Sequence, residues 1–91
     1  MKTHEFIVIL ADVDTMSDDL AERLFEAGCD DGSPYSRDGV AAIGFSREAP
    51  ALEEAIRTAI ADVRKAGCRV ARVQSPEEHL YTRINQELST V

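Results

Sequence analysis

Ala27-Gly28-Cys29 recurs as Ala66-Gly67-Cys68, and each copy stands between an amphipathic stretch and a short apolar one. Glycine there reads as the residue just past a helix C-terminus, where a left-handed backbone costs it nothing. The cysteine then opens a strand. Ahead of the first copy, Leu20, Leu24 and Phe25 form an apolar stripe. Thr15 can cap that helix, with Asp18 completing a capping-box variant, and Ser17 is a rival cap. Asp18, Asp19 and Glu22 lie in the first turns, where the helix dipole favours negative charge. Ahead of the second copy, Pro50 marks the start of a helix with a clearer stripe: Leu52, Ala55, Ile56, Ala59, Ile60 and Val63.

Outward from these landmarks, Phe6-Ile7-Val8-Ile9-Leu10-Ala11 is apolar on both alternations and predicts a central strand buried on both faces. Cys29 to Arg37 reads as a weaker edge strand, because Gly32 and Pro34 do not suit the middle of a sheet. Arg37-Asp38-Gly39 is a hairpin signal, Val40 to Phe45 a second inner strand, and Cys68 to Val73 the last strand.

The order is therefore β-α-β-β-α-β. With right-handed crossovers it predicts an α+β, ferredoxin-like split β-α-β with an antiparallel sheet in the order 4-1-3-2. This domain covers residues 1–75. Residues 76–91 form a helical tail, with Ser75 as cap, Pro76 at the first position, Glu78 closing a capping box, and a Leu80, Ile84, Leu88 stripe.

Hydrophobic residues make up 44% and charged residues 30%, a globular balance. The run from Phe6 to Ala11 is far shorter than the ~20 residues a membrane span needs, and residues 1–5 carry no signal-peptide pattern. A cytoplasmic location without membrane association is expected. The net charge is −7, and all of it falls in residues 1–46, with 10 acids and 3 bases; residues 47–91 hold 7 of each. Direct nucleic-acid binding by the first half is not expected, since phosphate contacts need Lys and Arg. Acidic surface also serves plain solubility.

Cys29 and Cys68 should open opposite edge strands, roughly 14 Å apart by strand spacing. A disulfide needs Cα atoms within about 7 Å, so both are expected free and largely buried. Neither they nor His4 and His79 show zinc-ligand or catalytic-triad spacing, and no catalytic residue or cofactor is assigned. The histidines are read as surface or packing residues. Asp12 and Asp14 follow the first strand, where a carboxylate pair can hold Mg²⁺. Helix entry and solvation account for them without a metal, so a metal site there is an alternative only. Asp30, Asp31, Ser33, Ser36, Arg37 and Asp38 form a polar cluster before the third strand, the candidate ligand or partner loop. Arg57, Arg64, Lys65, Arg69 and Arg72 make the one basic concentration, either a solvated face or a complement to the acidic half of a neighbouring chain.

Three stretches carry a resemblance: Phe25-Glu26-Ala27-Gly28-Cys29-Asp30-Asp31, Ser36-Arg37-Asp38-Gly39-Val40 and Phe45-Ser46-Arg47-Glu48-Ala49-Pro50. Together they resemble a family of short uncharacterised bacterial proteins whose ferredoxin-like domain often precedes a helix-turn-helix DNA-binding segment. The likeness covers about residues 3–75 and implies no chemistry. By that resemblance, Tyr81 to Leu88 looks like the start of the first DNA-binding helix. No recognition helix follows it in this sequence, so direct major-groove reading is not expected. Asp12 and Asp14 also loosely resemble the metal-dependent CRISPR-associated nucleases of the same fold.

The expected function is a non-enzymatic regulatory or protein-interaction module, acting by self-association, as the partner domain of a DNA-binding regulator or in a toxin-antitoxin-like pair. The alternatives are a small-ligand sensor using the Asp30 to Asp38 loop and a metal-dependent nuclease using Asp12 and Asp14. The self-association argument rests on side chains without a partner. Two helices cover one face of a four-stranded sheet, which leaves Ile7, Ile9, Val40 and Ala42 as the face of a homodimer. The Leu80, Ile84, Leu88 stripe of the tail is the rival cover: it can lie on that face of its own chain and leave a monomer, or sit at the rim of the dimer or swap across it.

Overall fold

A computed structural model describes residues 1–89. The elements are β1 (Lys2–Ala11), α1 (Asp18–Glu26), β2 (Gly32–Arg37), β3 (Val40–Ala49), α2 (Leu52–Lys65), β4 (Arg69–Gln74) and α3 (Glu78–Ser89). The fold is α+β. The strands form one antiparallel sheet in the order β2-β3-β1-β4, the expected order read from the other edge.

Both Ala-Gly-Cys tripeptides end a helix in the same way. The Gly28 N–H donates to the Phe25 carbonyl and the Cys29 N–H to that of Leu24; Gly67 and Cys68 repeat this with Arg64 and Val63. This is the Schellman pattern, with alanine as cap and glycine at the left-handed position. Gly28 has φ +117 and Gly67 φ +90. Ser17, not Thr15, caps α1: its hydroxyl accepts from the Leu20 N–H at 3.1 Å. α2 starts without a side-chain cap, since its capping position is Ala51.

The hairpin between β2 and β3 turns on Asp38 and Gly39, both at positive φ (53 and 76), and pairs Arg37 with Val40. That is the two-residue turn whose twist matches the strands. β3 runs past Phe45 to Ala49, longer than the apolar run predicts, because Phe45, Arg47 and Ala49 keep the inward alternation. The start of α3 also moves: Pro76 and Glu77 form a turn after β4, with the Ser75 hydroxyl accepting from the Glu77 N–H, and α3 begins at Glu78.

One face of the sheet packs under α1 and α2. Its core holds Phe6, Val8 and Leu10 from β1, Ala41, Ile43 and Phe45 from β3, Leu20 and Leu24 from α1, and Ala55, Ala59 and Val63 from α2. Phe6 and Phe45 face each other in register and stack, with centroids 5.3 Å apart. Two expected core positions are exposed. Phe25 stands 63% open, a turn of about 100° away from the Leu24 direction on a helix too short to bury both. Leu52 is the first residue of α2 and lies beyond the core. The Leu80, Ile84, Leu88 stripe of α3 is also exposed. The expectations for the side chains of Glu78 and His79 fall outside what the structure describes.

Candidate interaction surface

The other face of the sheet carries Ser33, Tyr35 and Arg37 from β2, Val40, Ala42 and Gly44 from β3, Ile7 and Ile9 from β1, and Arg72 and Gln74 from β4. This follows from their pairing: Tyr35 opposite Ala42, Arg37 opposite Val40, Ile9 opposite both Ala42 and Arg72, and Ile7 opposite both Gly44 and Gln74. The face is concave. Ile7, Ile9, Val40 and Ala42 form an apolar floor of a groove of about 360 Å³, with Tyr35, Arg37, Asp38, Arg72, Gln74 and Pro76 around it. All four residues named from the sequence as an association face therefore share one groove. Neighbouring side chains already bury Ala42 and Ile9, while Val40 and Tyr35 stay partly open. Tyr35, Arg72 and Gln74 were not singled out as part of this face. The signal for them is period-two alternation, which assigns their side once the register is known.

The polar Asp30 to Asp38 cluster does not converge. Asp30 is exposed, and Ser33 and Ser36 lie on opposite faces of the edge strand β2. Arg37 and Asp38 reach the groove. Asp31 turns the other way, toward the helices, where it meets Arg47.

Arg47 is the buried charge of the domain and was not read from sequence as a site. Only 9% exposed, it sits on the helix side of β3. Its Nε and Nη2 donate to the two oxygens of Asp31 at 2.8 and 3.0 Å, a bidentate fork. Nη2 also lies 3.0 Å from an Asp62 oxygen and from the Gly28 carbonyl oxygen, and Nη1 donates to the Thr58 hydroxyl at 3.1 Å. The guanidinium lies 5.2 Å from the Phe45 ring centre. Hydrogen bonding to Asp31 raises the Arg47 pKa further, so it is always charged. One side chain thus ties the loop after α1, the start of β2, β3 and α2 together. Gly28 and Asp31, far from Arg47 in sequence, meet it in one structural join.

Cys29 is buried beside that join and Cys68 is half-buried; both are free. Burial first, and then the Asp62 charge, push the Cys29 thiol up to about 11. Asp31 and Cys68 add smaller contributions in the same direction. Asp12, at φ 61, pairs with Arg69 at 2.9 Å, and both side chains are exposed. Asp14 is exposed as well, and among the described residues no group of three or more His, Cys, Asp or Glu is placed to hold a metal ion. His4 Nε2 lies 3.1 Å from the Ala49 carbonyl, a packing contact between β1 and β3. The basic residues are spread out: Arg57 pairs with Glu53, Lys65 with Asp62, Arg69 with Asp12, and Arg72 bonds Gln74.

Among the described residues, no helix is long and apolar enough to cross a membrane. Comparison with protein-family models, curated proteins and solved structures finds no match to this chain.

Proposed function

We propose that the chain is a ferredoxin-like, cytoplasmic, non-enzymatic interaction module that works by self-association through the open face of its sheet. It would serve as the regulatory partner of a DNA-binding protein or as half of a toxin-antitoxin-like pair. The observation behind this reading is the groove floored by Ile7, Ile9, Val40 and Ala42. An apolar floor with an aromatic and arginines at its edge has the composition of a protein-protein interface core. Fully burying an exposed Val or Ile gains about 1.5–3 kcal/mol; Val40 is 40% exposed and Ile7 partly so, and each supplies a fraction of that toward the cost of association, with Tyr35 at the edge adding to it.

Light scattering at low micromolar concentration tests it. A mass near twice the 10.0 kDa of one chain is expected, and Val40→Glu, at an exposed position of the floor, should return it to a monomer. A wild-type mass of 10.0 kDa across the accessible concentration range refutes the reading.

A second reading has one observation in its favour: Arg37 and Asp38 of the predicted ligand loop line the same groove. A small anionic ligand held there would raise the melting point, by about 2.7 kcal/mol of stability at a hundred times its Kd. Thermal shift against a panel of small carboxylates and phosphates separates the two readings.

A further inference from the structure

We propose that α3 of one chain lies in the open-face groove of a second copy, and that the exchange is reciprocal. This rests on the self-association reading and names the element that fills the face. Four observations lead to it.

First, α3 is an amphipathic helix whose apolar side is exposed. Leu80, Ile84 and Leu88, spaced four apart on one face, are all exposed. Second, α3 leads away from the rest of its own chain. The molecule measures 48 × 32 × 16 Å, with a radius of gyration of 14.1 Å, against about 12 Å for a compact chain of this length. The link from β4 to α3 is only Ser75, Pro76 and Glu77. Proline fixes its own φ, and the Ser75 hydroxyl holds the Glu77 N–H. A short, stiff link of this kind favours docking on a neighbour over folding back, which is how helices come to be exchanged between copies.

Third, the dimensions agree. Twelve helical residues extend about 18 Å. The four strands of the sheet, at a spacing of about 4.8 Å, span about 14 Å between their outer axes. One α3 therefore crosses one sheet. Fourth, the charges are complementary. The α3 segment carries Glu77, Glu78 and Glu87 against Arg83. The groove edge carries Arg37 and Arg72 against Asp38. A second apolar strip on the surface, Leu52, Ile56 and Ile60 on α2, lies beside a Glu53–Arg57 pair that cancels its charge. It has no such attraction for an acidic helix. In a reciprocal arrangement each copy gives one helix and receives one, so the contact closes at two chains.

The test uses the full chain with Ile84→Glu and Leu88→Glu together. Both positions are exposed in the single chain, so circular dichroism should report an unchanged fold. The dimer dissociation constant, from light scattering or sedimentation over a concentration series, should rise on the order of a hundredfold. In parallel, a Tyr35→Cys chain mixed with an Ile84→Cys chain should form a disulfide-linked heterodimer under mild oxidation, with peptide mapping placing the link between those two positions. Unchanged dimerisation of the double Glu variant overturns the exchange but leaves self-association through the sheet face standing. A cross-link captured from Ile84→Cys to Leu52→Cys on α2 also overturns it. A wild-type chain that is monomeric throughout removes both.

Discussion

Replacing Arg47 by alanine is the sharpest test of how this domain is held together. The side chain is nine-tenths buried and bonds Asp31, Asp62, Gly28 and Thr58 at once. Its removal takes away those bonds, leaving Asp31 without its cation and Asp62 with only the exposed Lys65 at 3.8 Å. Breaking a buried pair by deleting one member costs about 3–5 kcal/mol, mostly through the uncompensated charge. Here the Asp31 and Asp62 side chains are 30% and 22% exposed, so water relieves part of that cost, and about 3 kcal/mol is the expected loss. A domain of 91 residues has roughly 5–14 kcal/mol of stability in total. Urea denaturation followed by circular dichroism should show the midpoint falling with the slope unchanged, and the melting temperature dropping roughly 15–20 °C. Arg47→Lys keeps the charge but loses the fork, and should fall between the two. The triple variant Arg47→Met, Asp31→Asn, Asp62→Asn removes the charges together and should recover most of the loss. A loss below about 1 kcal/mol for Arg47→Ala, or no recovery in the triple variant, refutes the argument that charge compensation holds the join.

Cys29 should be slow toward thiol reagents in the folded protein, since its thiol is buried and raised to about 11. An unfolded cysteine ionises near 8.5. Between those values the unfolded chain gives up the proton while the folded one keeps it, so stability falls as pH rises from about 9 to 11 and is unaffected below. Wild type should lose about 2–3 kcal/mol more than Cys29→Ala over that window, and equal slopes would exclude the effect. Gly28→Ala should destabilise more than Gly39→Ala. Both positions have positive φ, but a Cβ at Gly28 meets the Asp62 carboxylate at 2.9 Å while one at Gly39 meets nothing within 4 Å. The Gly39 change should cost about 1–2 kcal/mol from backbone strain alone, and chemical denaturation ranks the two.

The elements legible in the sequence are those set by local chemistry. Glycine at the left-handed cap, Asp38-Gly39 in the hairpin turn and the apolar run of β1 each act within a few residues, and the strand order follows once crossovers take their usual hand. The apolar face could be read because alternation assigns sides without knowledge of neighbours. What stayed hidden depends on distant partners. Arg47 looks like the charged end of a strand, and periodicity stops β3 at Phe45. It can point inward only because Asp31 and Asp62 arrive from other elements, at separations that follow no helical or strand repeat. Asp31 was grouped with its polar neighbours for the same reason, although its carboxylate belongs to the interior join. Tyr35 and Arg72 needed the register, which a sequence does not state.

The two outer strands bear on what the molecule cannot become. β2 carries Pro34, which has no N–H to offer a newcomer, and β4 places Arg69 and Arg72 along the other edge beside a register shift in its pairing. Both edges are thus poor templates for strand addition. If the chain associates through its sheet face as proposed, edges blunted in this way would keep the particles bounded and resist growth into fibrils. Exchanging Pro34 for valine, and both arginines for threonine, would remove that protection while leaving the core intact. Such a chain should seed amyloid-like aggregation under conditions where the original stays clear.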